Sequence, residues 1–267
     1  PMMSGTTVAP TATSTLGPPP PHVTVVSDII GLEFSKGSTF YVRAYVKSAL
    51  GKIPHSLIGF TENGEGKMAG DQTAAATFSA STTAILNPFA IYATPTDTNF
   101  EVIACIGDSI SLGVGNSNGN TDGHLYGEMG FMQLAAVRSG RGYVTLGMNG
   151  QASNGFLADK RYRRLVIADK CDIAINNFGT NDITQTNRTL ATIQEYLLDM
   201  WKATKLRGLR TYQTTITPRT NQASLWPTEG QIPVNDRAVG GEQSVRSQLN
   251  NWIRTKPSPY LDGIIDV

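Results

Sequence analysis

Beyond Glu101 the chain alternates short apolar, β-branched runs with helical stretches, and no other feature constrains its fold as tightly. The runs cover 101–106, 143–147, 172–178, 210–216 and 262–266. Between them lie helical patterns at 130–137, 156–167, 190–206 and 243–254. Leu190, Ile193, Leu197, Trp201 and Lys205 fall on one stripe, and Gly208 then stops that helix. Val245, Leu249 and Trp252/Ile253 repeat at helical spacing in the last one. Strands and helices alternating at this spacing predict an α/β fold with a mostly parallel sheet and helices on both faces.

The first run, Val102 to Ile106, has the length and branching of a fully buried strand. It breaks at Gly107-Asp108-Ser109. A serine where a buried strand ends lies at the carboxyl edge of the sheet, where open α/β folds bind ligands. Ser109 is therefore the first candidate nucleophile. Two further loops follow predicted strands: Gly147-Met-Asn-Gly150-Gln-Ala-Ser153 and Phe178-Gly-Thr-Asn181-Asp182. In a parallel sheet all three loops reach one edge. Acyl transfer from an ester needs a nucleophilic hydroxyl and donors aimed at the developing oxyanion. The N–H groups of Ser109 and Gly150 and the Asn181 amide would supply three such donors. Each motif alone is ordinary turn chemistry; their occurrence together, each after a strand, is what carries weight.

These three blocks resemble those of the SGNH/GDSL hydrolases, serine esterases and lipases built on a flavodoxin-like three-layer α/β/α sandwich with a parallel sheet. The resemblance covers roughly residues 101–267. It implies Ser109 as nucleophile, Gly150 as second-block oxyanion donor (Gly147 being the alternative register) and Asn181 as third-block donor. One element departs from the pattern. The family carries an Asp-x-x-His near its carboxyl end, whereas the three histidines here, His22, His55 and His124, all precede the third block. The final strand, Leu261-Asp-Gly-Ile-Ile-Asp266-Val267, leads in the family towards that motif, so the chain reads as stopping short of its last block. Asp262 and Asp266 have no histidine three residues on.

Other residues carry two readings. His124 lies in a polar loop beyond the nucleophile and is a candidate substrate-facing residue, against a plain solvated histidine. Trp226 sits in the long irregular stretch 218–242, which hangs over the same edge, and is a candidate substrate platform. Trp201 and Trp252 read as core. Asp108 reads as a cap of the nucleophile loop, and Asp182 as closing its own turn. Cys105 and Cys171 read as buried free thiols, with a disulfide as the alternative.

The first 21 residues are rich in Thr, Ala, Pro and Gly and end in four prolines, which reads as an arm or linker. From 22 to 99 the texture is β, with Ser38 to Val46 the clearest alternation, and predicts a small all-β accessory module. The α/β domain then spans 100–267. Net charge is +1 without a dense basic cluster, which argues against nucleic acid as a partner. No apolar run approaches the ~20 residues of a membrane helix. No metal or organic cofactor is implied. No basic-then-apolar leader is visible, although the chain begins at a proline. Low charge and abundant Gly, Asn and Thr suit a secreted or surface setting. The expectation is a serine ester hydrolase removing acyl, first of all acetyl, groups from a carbohydrate or related ester. Its alternatives are an inactive glycan-binding or structural module on the same fold, and a lipase or thioesterase. The polar 113–124 loop argues against the last.

Overall fold

The computed structural model describes residues 31, 33–35, 92–97, 99–114, 129–157, 163–184, 188–218 and 244–267. The chain divides into two compact units, Pro1–Ile91 and Tyr92–Val267, and every described strand and helix belongs to the second. The 1–21 arm and nearly all of the expected 22–99 module lie outside the described residues.

Five parallel strands form one sheet: β1 Val102–Ile106, β2 Gly142–Thr145, β3 Ile173–Asn176, β4 Arg210–Thr214 and β5 Gly263–Ile265. Their order is β2-β1-β3-β4-β5. Ile103 stands beside Tyr143 on one side and Ile173 on the other. Strand order reverses between β1 and β3, which makes the gap above that pair the topological switch point, where such sheets open a crevice. The five expected strands are all present; four are trimmed by one or more residues, and β2 begins one residue before its expected run and ends two before its close. β3 ends early because the Asn176 side chain turns back to accept from the Phe178 N–H at 3.0 Å, which takes the chain out of the ladder.

The connections are helical. α1 Ser109–Leu112 follows β1 directly, and α2 Phe131–Arg138 leads into β2. α3 Asn154–Leu157 and α4 Arg163–Ala168 lie between β2 and β3, α5 Thr180–Thr184 and α6 Leu190–Lys205 between β3 and β4, and α7 Val245–Arg254 before β5. The helix expected over 156–167 corresponds to α3 and α4, with 158–162 outside the described residues. α1 and α5 were not expected; at four and five residues they are too short to carry a helical period.

Side chains alternate across β1, so both faces are filled. Ile103 and Cys105 pack with Met132 and Ala136 of α2. Ala104 and Ile106, fully buried, take the opposite face. On β3, Asn176 meets Met200 of α6. β4 carries Thr211 and Gln213 on that side: Gln213 accepts from the Trp201 indole N–H at 3.0 Å, and the Thr211 and Thr204 hydroxyls are 2.9 Å apart. A helix on each face and the sheet between them give the three-layer sandwich, with α2 opposite α6. Trp201 is fully buried. Trp252, expected in the core, is only half-buried and stacks on Trp201 with ring centroids 5.3 Å apart, an arrangement worth about 1 kcal/mol beyond its burial.

β5 is held by its flanking carboxylates. Asp262 accepts from Lys205 Nζ at 2.6 Å and from the Thr211 N–H at 2.7 Å. Asp266 pairs with Arg254 and accepts from the Thr215 hydroxyl at 2.9 Å. Among the described residues no helix is long and apolar enough to cross a membrane.

Candidate active site

The carboxyl ends of β1 and β3 open into a cavity of about 190 Å3 lined by Asp108, Ser109, Ile110, Thr180, Asn181 and Pro218. This is the switch-point crevice. Ser109 does not sit in an open loop, as the sequence suggested, but is the first residue of α1. Asp108 caps that helix, its Oδ1 accepting from the Ile110 N–H at 2.9 Å. An N–H in a first helical turn has no acceptor within the helix, so the Ser109 amide lies at a place suited to a negative oxygen. Gly107 allows the turn. A Cβ there would lie 1.9 Å from the Ser111 hydroxyl and 3.3 Å from Asn177 Cβ.

Asn181 occupies the first turn of α5, is 3% exposed, and faces the same cavity. Its Nδ2 donates to the main-chain carbonyl of Gln151 at 3.0 Å. Gly150, one residue earlier, is exposed, has φ +70, and offers open space where a Cβ would go. The left-handed backbone, rather than crowding, asks for glycine there. Gly150 is not among the lining residues of the cavity; it is connected to Asn181 through Gln151. Gly147 is the more crowded of the two glycines, its missing Cβ falling 3.1 Å from the Asp108 carbonyl. That close approach lets the Met148 N–H reach the Gly107 carbonyl at 3.0 Å and joins the second loop to the first.

Pro218 is placed by α7. The Asn250 side chain accepts from the Ile216 N–H at 2.7 Å and donates to the Ile216 carbonyl at 3.0 Å, in the manner of a neighbouring strand. Ile216 also fills the space above Gly179. His124 and Trp226 lie outside the described residues, as do His22 and His55, so the described residues contain no histidine. They contain no cluster of metal-ligating side chains. Cys105 and Cys171 are both free, the second only half-buried. Burial pushes both thiols up to about 12, which keeps them protonated and poor nucleophiles at neutral pH.

A family model described as GDSL-like lipase/acylhydrolase matches residues 105–267. The chain belongs to this family. Its class of chemistry is therefore serine ester hydrolysis, of esterase or lipase type. The solved structures it resembles are distant. The psychrotrophic esterase EstA of a Pseudoalteromonas species shares 14% identity over 62% of this chain and 77% of its own, with TM-score 0.43. The GDSL-like lipase of Bacteroides thetaiotaomicron shares 18% over 62% and 68%, with TM-score 0.40. The lipase/acylhydrolase of Enterococcus faecalis shares 19% over 61% and 74%, with TM-score 0.39. Comparison with curated proteins finds no match.

Two residues beside the cavity-lining Asn181 carry more than their sequence suggests. Gln151 is 4% exposed, and among the described residues neither its Nε2 nor its Oε1 has a hydrogen-bond partner. Asp182, expected to close its own turn, reaches across to another loop: its carboxylate accepts from the Ser153 N–H at 2.9 Å and the Ser153 hydroxyl at 2.7 Å, and it pairs with Arg188. The Asp after Asn181 is visible in the sequence, but its partners are not.

Proposed function

We propose that this GDSL-family chain removes short acyl groups, acetyl first of all, from carbohydrate or related esters, with Ser109 as the nucleophile. The observation that supports this most is the cavity itself. Ser109 and Asn181 are both among its lining residues, and its volume of about 190 Å3 lies below the ~300–1,000 Å3 of pockets that enclose drug-sized ligands. An acetyl group fits such a space; a long acyl chain would need a channel.

In the proposed reaction Ser109 Oγ attacks the ester carbonyl carbon and its proton passes to a general base. The carbonyl oxygen becomes an oxyanion held by the N–H groups of Ser109 and Gly150 and by the Asn181 amide. Collapse breaks the bond to the alcohol, which leaves with a proton and an acyl-serine behind it. Water then attacks the acyl-serine, and the carboxylic acid departs. No base is assigned, because every histidine of the chain lies outside the described residues.

The test is a chain-length series of p-nitrophenyl esters and an acetylated polysaccharide, with wild type and Ser109→Ala. Acetate should give the highest kcat/KM, free acetate should appear from the polysaccharide, and Ser109→Ala should do neither. Preference for the palmitate ester would replace this reading by a lipase. Polysaccharide binding with no turnover would replace it by a glycan-binding module.

A further inference from the structure

We infer that Asp182 is a positioning residue for the oxyanion donors: its carboxylate clamps the 150–153 loop onto α5 and thereby sets the Gly150 N–H relative to the Asn181 amide. The inference rests on the proposed role of those donors.

Asp182 stands in the first turn of α5, where an acidic side chain ordinarily serves local N–H groups. Its carboxylate instead accepts from a residue 29 positions earlier. The Ser153 N–H lies 2.9 Å from Oδ2 and 3.2 Å from Oδ1, and the Ser153 hydroxyl 2.7 Å from Oδ1. Both residues are fully buried. A carboxylate so enclosed is costly unless charge and hydrogen bonds compensate it. Arg188 supplies the charge through its ion pair with Asp182, and its guanidinium lies 5.1 Å over the Tyr196 ring. The clamp is thus a partly buried chain from Tyr196 of α6 through Arg188 to the fully buried Asp182 and the loop after β2.

The geometry gives this chain a use beyond stability. Consecutive residues of α5 grip the loop at two points: Asn181 at the Gln151 carbonyl and Asp182 at Ser153. One tie alone would leave the loop free to pivot about a single hydrogen bond. Two ties fix its orientation, and Gly150 is the residue next to the first of them. An added Cβ at Gly150 would meet nothing, so no side-chain packing anchors this residue. On its amino side the turn is held by Met148, whose N–H reaches the Gly107 carbonyl and whose carbonyl accepts from the Gln151 N–H; on its carboxyl side the clamp holds it, and an error of ~1 Å in a catalytic group can cost about 10²-fold in rate.

The experiment uses the full chain and compares wild type, Asp182→Asn and Ser153→Ala by amide hydrogen exchange and by p-nitrophenyl acetate kinetics. Asp182→Asn keeps the shape and loses the charge and one acceptor. It should raise exchange in 150–153 about tenfold while β1 and β3 stay protected, and lower kcat about 10²-fold with KM within about threefold. Exchange rising through the whole sheet, or kcat and KM moving together, marks a merely structural aspartate and overturns the inference. So does a variant that matches wild type in both readouts. If Asp182→Asn does not fold, Ser153→Ala, which deletes only the 2.7 Å hydroxyl bond, should shift both readouts in the same direction and to a smaller extent; wild-type behaviour there overturns the clamp. Failure of the functional reading looks different. A wild type inert toward the ester whose loop still loosens in Asp182→Asn keeps the clamp and loses the esterase.

Discussion

The Asn181 side chain donates a 3.0 Å hydrogen bond to the main-chain carbonyl of Gln151, which fastens the loop after β2 to the first turn of α5 one residue beyond Gly150. Asn181 and Ser109 line the same cavity. Asn181→Ala removes the proposed oxyanion donor and a tie to the loop together. Its kcat on p-nitrophenyl acetate should fall about 10²- to 10³-fold with KM little changed, the loss that follows deletion of one oxyanion donor. A KM rise at constant kcat would show that Asn181 binds the ground state instead.

Gly107 and Ser111 compete for one space. A Cβ on residue 107 would lie 1.9 Å from Ser111 Oγ and 2.9 Å from its Cβ, and Ser111 is fully buried. Gly107→Ala should destabilise the chain by about 1–3 kcal/mol, the usual range for overpacking, read by urea unfolding. Adding Ser111→Gly should recover most of that loss, with a coupling of about 0.5–3 kcal/mol between the two sites. Simple addition of the two effects would mean that the turn strain lies elsewhere.

Acid should release β5. Burial raises the Asp262 carboxyl, but the Lys205 ammonium and the Thr211 N–H outweigh it and hold the group below its ordinary value. Arg254, and then the Thr215 hydroxyl, lower Asp266. Both carboxylates therefore bind protons less readily in the folded chain than in the unfolded one. Their contribution is present in full above the ordinary carboxylate pKa of about 4 and drains away as pH falls through the lower folded values. Asp262→Asn should be less stable than wild type at pH about 7, and the gap should close as the medium is acidified below that range. Denaturant midpoints across this range check it; a gap constant with pH would contradict it.

Much of the fold was legible because buried parallel strands leave a plain trace. Val102–Ile106 is apolar on both faces, and Ile193, Leu197 and Trp201 mark the buried side of α6 without ambiguity. α1 and α5 were hidden because one helical turn has no period, so Ser109 and Asn181 read as loop residues although both stand in first turns. Trp252 was placed too deep: its spacing is that of a core residue, but it stacks on Trp201 and keeps one side exposed. That Ser109 and Asn181 line one cavity was legible because each follows a strand on the same sheet edge. The bonds from Asp182 to Ser153 and from Asn250 to Ile216 could not, since residues 29 and 34 positions apart leave no local pattern. The same holds for Gln151, whose buried and unpartnered amide looks in the sequence like any loop glutamine.

The central claim is that Ser109 is an activated nucleophile, and covalent labelling tests it most directly. The full chain is treated with an aryl alkylphosphonate, digested and mapped by mass spectrometry. A single phosphonyl adduct on Ser109, absent from Ser109→Ala, is the expected result. An unlabelled chain, or an adduct that persists in Ser109→Ala, would contradict it.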